Sequence, residues 1–171
     1  MAELREPRKK PSSTHHGLPK PGLTQILGLL TAIDGAGGET DVARIAVDVR
    51  MNIVTIGPVV DAAEFLGLVK VHEGDIVLTE LGSKLLRSGL RQRKEIIRSV
   101  IDQMPLFRQV TDLIRAAGRP LSRQEVTETL SEHVGTHHSD ATFQALVYWG
   151  RYVERVTYDG AAELLGLRGP A

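Results

Sequence analysis

Residues 73–86, EGDIVLTELGSKLL, decide the fold. They read as a turn, a short strand, and a helix opened by Thr79 that runs to about Leu90. Just before them, LVKV (68–71) is a second short apolar strand, so LVKV, the turn HEGD and IVLT make a β-hairpin. Further back lie three helical segments. Leu23, Ile26, Leu27, Leu30 and Ile33 recur at helical spacing and form one apolar stripe, which DGAGG (34–38) ends. Val42, Ile45, Ala46 and Val49 repeat the stripe, with Thr40 as the expected cap. Thr55 is the expected cap of a third helix, with Pro58 in its first turn and Gly67 at its end. Three helices followed by a hairpin is the order of a winged helix.

The second half of the chain repeats the theme. RQRKEIIRSVIDQM (91–104) is amphipathic, with Ile97, Val100, Ile101 and Met104 facing inward, and Pro105 breaks it. The next helix buries Leu106, Val110, Leu113, Ile114 and Ala117 and stops at Gly118. Ser122 and Glu125 spell a capping box for a helix reaching about His133. Ser139 is the expected cap of one more helix, running to Gly150. YVERVTY, the turn DG and AAELLGL then read as a second hairpin. The expected class is mainly α with small β-hairpins (α+β): two tandem winged-helix-like units joined by central helices. The division is a disordered basic tail over 1–22, a first unit over 23–90, and central helices with a second unit over 91–171. His15 and His16 fall in the tail and read as solvated polar residues.

Composition narrows the function. With 42% hydrophobic residues but only 4% aromatic, the chain can bury a core that must be aliphatic. A net charge of zero argues against a general nucleic-acid binder, although a local patch is compatible with it. The absence of cysteine excludes disulfides, zinc–thiolate sites and a cysteine nucleophile. The longest strong apolar run, ILGLLTAI (26–33), falls far short of the roughly 20 residues that span a bilayer, and the N-terminus has no signal-peptide pattern. A soluble cytoplasmic protein is expected.

Four segments carry a resemblance: LTQILGLLTAIDGAGGETDVARIA, VVDAAEFLGLVKVHEGDIVLTELGSKLL, RKEIIRSVIDQMPLFRQV and ALVYWGRYVERVTYD, of which WGRY followed by a strand and an acidic turn is the most specific. Over about residues 18–167 the chain resembles the AAA-associated C-terminal domain. That domain follows the ATP-binding cassette in nitrate/sulfonate/bicarbonate-type ABC transporter ATPases. The resemblance implies an ABC transporter ATP-binding subunit as partner. One departure matters: no GxxxxGK[ST] loop, no ABC signature and no Walker B aspartate occur in this sequence. Gly35, Gly37 and Gly38 lead to no lysine and read as a turn. The chain therefore reads as the accessory domain without its ATPase, with no cofactor and no catalytic residue.

A winged helix that reads DNA needs cations on the outer face of its third helix. In the first unit that face carries Gly57, Asp61 and Glu64; in the second it carries Asp140, Gln144 and Tyr148. Carboxylates facing phosphates repel them, so protein contact is the preferred use of these surfaces. A winged-helix transcription regulator is the alternative, and a ligand or metal sensor the third reading. Candidate partner-binding residues are Arg91, Lys94, Arg98, Arg151, Tyr152, Asp61 and Glu64. Arg91, Lys94 and Arg98 share a helical face within the basic run that also holds Arg87 and Arg93, and a solvated face is the simpler reading of it. Trp149 reads as a core plug. His133, His137 and His138 are weak metal candidates, because Gly135 interrupts the helix between them.

Overall fold

The computed structural model describes residues 22–49 and 53–169, so the expected tail lies outside the described residues except for Gly22. The chain is mainly helical, with eight helices among the described residues and two small three-stranded antiparallel sheets. The elements run α1 (Leu23–Gly35), β1 (Glu39–Asp41), α2 (Val42–Asp48), α3 (Ile53–Phe65), β2 (Val69–His72), β3 (Asp75–Leu78), α4 (Glu80–Arg87) and α5 (Leu90–Asp102). There follow α6 (Pro105–Ala117), β4 (Leu121–Ser122), α7 (Arg123–Val134), α8 (Thr136–Tyr152), β5 (Val156–Asp159) and β6 (Leu164–Leu167).

The order helix, strand, helix, helix, strand, strand therefore occurs twice, with α4 and α5 between. The sheets share one topology, β1-β3-β2 and β4-β6-β5. The likeness extends to single backbone bonds. Val42 N donates to Gly74 O (3.0 Å) in the first set, and Arg123 N to Glu163 O (2.9 Å) in the second. α3 ends with Gly67 N to Glu64 O and Leu68 N to Ala63 O, both 2.9 Å. α8 ends in the same way, with Glu154 N to Arg151 O (3.1 Å) and Arg155 N to Gly150 O (2.9 Å). Phe65, Leu66 and Gly67 thus correspond to Tyr152, Val153 and Glu154.

The core is aliphatic, as the composition requires, with Trp149, Phe107 and Phe143 as its large aromatic members. Buried residues from both sets and from α5 join one cluster. Each buried Leu, Ile or Val contributes about 1.5–3 kcal/mol of transfer free energy.

Several local expectations are corrected. Thr40 does not cap α2; it is still paired with Ile76 in β1, and Asp41 caps the helix by accepting from Ala43 N (2.7 Å) and Arg44 N (3.2 Å). Thr55 does not cap α3, because that helix is already formed at Ile53; Pro58 therefore lies in the helix interior. The helix continues through it, held by the buried Ile56, Val59, Val60 and Ala63. Leu113 and Ala117 are exposed, since the buried stripe of α6 is the narrower Leu106, Phe107, Val110 and Ile114. Ser139 lies inside α8 and donates to Thr136 O; Gly135, with φ 81°, is the single residue separating α7 from α8. The Thr79 cap is present (Gly82 N to Thr79 Oγ1, 3.1 Å), as is the Ser122–Glu125 capping box.

Candidate partner-binding surface

α5 lies between the two sets, and its amphipathic pattern explains how. Ile97 and Ile101 are fully buried on one side. Lys94, Arg98 and Asp102, four residues apart, share the neighbouring face. The end of α8 meets that face. Glu154, at φ 59°, takes the left-handed conformation that closes α8, and its carboxylate turns toward α5. It lies 3.4 Å from Lys94 Nζ, 3.3 Å from Arg98 Nη2 and 3.6 Å from Arg168 Nη1. Arg98 Nε also donates to Val153 O (2.9 Å). Next to it, Arg155 donates through two nitrogens to Asp102, at 3.0 and 2.6 Å. Lys94, chiefly by its hydrogen bond, holds the Glu154 carboxyl below the usual carboxylate range, with Arg168 and Arg98 adding to it. Lys94 and Arg98 are thus ties to the second set as well as surface cations. Arg91 is exposed one turn earlier on α5.

Arg93 has a separate role: it donates to Leu85 O (3.1 Å) and Leu86 O (3.0 Å), satisfying carbonyls at the end of α4. The other candidates are placed as follows. Arg151 is exposed on the last turn of α8. Tyr152 is half-buried, edge-on to the buried Trp149 at 6.2 Å. Burial pushes the Tyr152 phenol up; Tyr148 adds to this and Arg93 opposes it. Gly150 of the WGRY stretch is required by packing, since a Cβ there would lie 2.5 Å from Val156 Cγ2 and 3.1 Å from Phe107 Cε2. Asp61 and Glu64 are exposed on α3, in the other set. Glu64 accepts from Val71 N (3.1 Å) and so covers part of the open edge of β2.

The outer face of α8 is similarly engaged. Asp140 pairs with Arg123, whose guanidinium lies 5.2 Å above the Phe143 ring. The Tyr148 hydroxyl accepts from Leu23 N (3.1 Å), satisfying a first-turn donor of α1. Of the histidines, His133 Nδ1 lies 3.0 Å from Thr129 O, and His137 and His138 are exposed in the first turn of α8. Among the described residues no group of three or more His, Asp or Glu is placed to hold a metal ion, and no helix is long and apolar enough to cross a membrane.

Sequence reasoning missed an open groove of 620 Å³ between the end of α3, α4 and the far flank of α5. Phe65, Leu81, Ile96 and Val100 line it, and Lys84 and Glu95 stand at its polar side. A signal for it was available: Ile96 sits off the Ile97/Ile101 stripe, so α5 needs a second apolar flank.

The family model of the C-terminal AAA-associated domain matches residues 43–159, and the chain belongs to that family. That span covers α3 through β5 and includes the α5 contact with the end of α8. No curated protein and no solved structure matches the chain.

Proposed function

We propose that this chain is a non-catalytic accessory module that acts by protein–protein contact on an ABC transporter ATP-binding subunit, on the cytoplasmic side. In this reading α1–β3 and α6–β6 are two winged-helix-like units; residues 23–90 form the first, and residues 91–171 hold the second with the α5 joint. The observation that carries the proposal is the charge of the two helices that would read DNA. The outer face of α3 presents Asp61 and Glu64. That of α8 presents Asp140, paired with Arg123, and Tyr148, engaged with Leu23. α3 offers no cation to phosphate; on α8 Asp140 takes up Arg123, and the exposed Arg151 in the last turn is a lone cation beside Tyr148. Family membership supports a protein partner, and the sequence lacks the phosphate loop needed to hydrolyse ATP itself. Arg91, Lys94, Arg98, Arg151, Tyr152, Asp61 and Glu64 are the proposed contact residues.

The test is the steady-state ATPase rate of a transporter ATP-binding subunit from the same organism, with and without the chain. A saturable change in rate is expected; an unchanged rate with no co-purification overturns the proposal. The repeated element order also suits a DNA-binding regulator. Fluorescence anisotropy with mixed-sequence duplex separates the two readings: a micromolar-or-tighter affinity that weakens with salt would favour DNA.

A further inference from the structure

The cations on α5 and at the C-terminus outnumber the carboxylates they meet. Around the Val153–Arg155 turn stand Lys94, Arg98, Arg155 and Arg168, against Glu154 and Asp102. Asp102 is taken up by the two-pronged pair with Arg155. That leaves Lys94, Arg98 and Arg168 sharing one carboxylate, Glu154. All of these groups are partly open to solvent; the Arg168 side chain is 55% exposed and that of Glu154 40%. Arg91 adds an exposed cation one turn along α5. In a chain of zero net charge this is a local positive excess with a carboxylate at its centre. Glu154 is also one of three glutamates at positive φ among the described residues, with Glu73 (φ 50°) and Glu163 (φ 51°), and the one of the three that meets this cluster of cations. Glu154 occupies the left-handed position (φ 59°) that the first set fills with Gly67 (φ 76°), a conformation that residues with side chains rarely adopt. The position suits glycine, yet it carries the carboxylate that the three cations share.

We propose that Lys94, Arg98 and Arg168 form a carboxylate-binding site for an acidic segment of a partner protein, in which Glu154 acts as the chain's own competing ligand. The proposal rests on the protein-contact reading above and names the chemistry of the contact. A glutamate or aspartate side chain from the partner enters beside Glu154 or displaces it, and Arg91 extends the attraction along α5. The turn stays in place when Glu154 is displaced, because Arg98 Nε still holds Val153 O and Arg155 still holds Asp102. Bases are not the favoured occupant, since the patch lies at the end of α8 and not along the outer face of either candidate reading helix.

The test uses the full chain and a fluorescein-labelled hexaglutamate peptide, followed by anisotropy at low salt. Glu154→Gln removes the internal competitor and is expected to tighten binding by about threefold or more. Glu132→Gln, which removes an equal charge from α7, is the control for net charge and is expected to leave affinity within about twofold; an equal gain in the two variants overturns the proposal. Arg168→Glu is expected to weaken binding by about fivefold or more, whereas Arg108→Glu, a charge reversal on α6, leaves it within about twofold. Should Glu154→Gln unfold the chain, the contrast between Arg168→Glu and Arg108→Glu decides alone. Absence of hexaglutamate binding overturns the proposal, as does an unchanged or weakened affinity in folded Glu154→Gln, or equal losses in the two charge reversals. If these failures accompany a saturable effect on the ATPase, only this site assignment falls. If duplex DNA of matched charge binds more tightly than the peptide, the protein-contact reading falls with it.

Discussion

Two glycine-to-alanine substitutions should move stability in opposite directions. Gly82 lies in α4 where the helix passes over the backbone entering β2. A Cβ there would stand 2.1 Å from Leu68 O and 2.9 Å from Leu78 Cδ1, whereas ordinary contact begins at 3.4 Å. The carbonyl cannot give way easily. Leu68 is fully buried, and its oxygen accepts from Thr79 N at 3.0 Å. α4 must therefore retreat, loosening the Gly82 N to Thr79 Oγ1 cap and the packing of the buried Leu85. Overpacking of this kind costs about 1–3 kcal/mol, and loss of the cap about 1 kcal/mol. The gain from removing a helical glycine offsets about 1 kcal/mol. The net expectation is a loss of about 2 kcal/mol, or a fall in Tm of about 4–8 °C for a chain of this length. Gly28 is exposed within α1 and has nothing within 4 Å of its virtual Cβ. Gly28→Ala should stabilise by about 0.5–1 kcal/mol. Urea and thermal unfolding followed by circular dichroism measure both. A neutral or stabilising Gly82→Ala would refute the close approach of α4 to Leu68 on which the first set's packing depends.

Three further outcomes follow from the same contacts. Glu125 is held down from the ordinary 4.5 to about 2, first by its hydrogen bond with Arg119 and then by the Ser122 amide. Because the folded value is depressed, its contribution to α7 is present above pH 4.5 and disappears as pH falls toward 2. NMR titration of the Glu125 carboxyl should show a midpoint near 2, and Arg119→Ala should move it toward 4.5. Tyr148→Phe deletes the acceptor for Leu23 N and should cost about 1 kcal/mol; hydrogen exchange should quicken at the start of α1 before it does elsewhere. Glu64→Ala leaves Val71 N facing solvent at the edge of β2, so exchange at Val71 should accelerate while the β2–β3 amides stay protected.

Much of the architecture is legible because its signals are local. The stripe Ile26, Leu30, Ile33 declares α1, HEGD between two apolar runs declares the first hairpin, and the Ser122/Glu125 spacing declares the start of α7. The third strand of each sheet is not legible. ETD and LS are too short and too polar to alternate, and they become strands only by pairing with β3 and β6, 34 or more residues away. The start of α8 is hidden because Gly135, at positive φ, ends one helix and begins the next with no side-chain cap. The site was half visible. Arg91, Lys94 and Arg98 could be placed on one face of a helix. That Glu154 meets two of them depends on a contact across 56 residues, which no periodicity encodes. Arg93 stood in the same basic run, yet it serves the end of α4, because a side chain's target is set by tertiary packing.

A module that acts by docking must bind one state of its partner better than another. The most direct measurement is calorimetric titration of the chain into a transporter ATP-binding subunit, once nucleotide-free and once locked with a non-hydrolysable ATP analogue. The expected result is binding in both states with affinities that differ by about tenfold, equivalent to about 1.4 kcal/mol. Equal affinities, or no heat in either titration beside tight, salt-sensitive binding to duplex DNA, would contradict it.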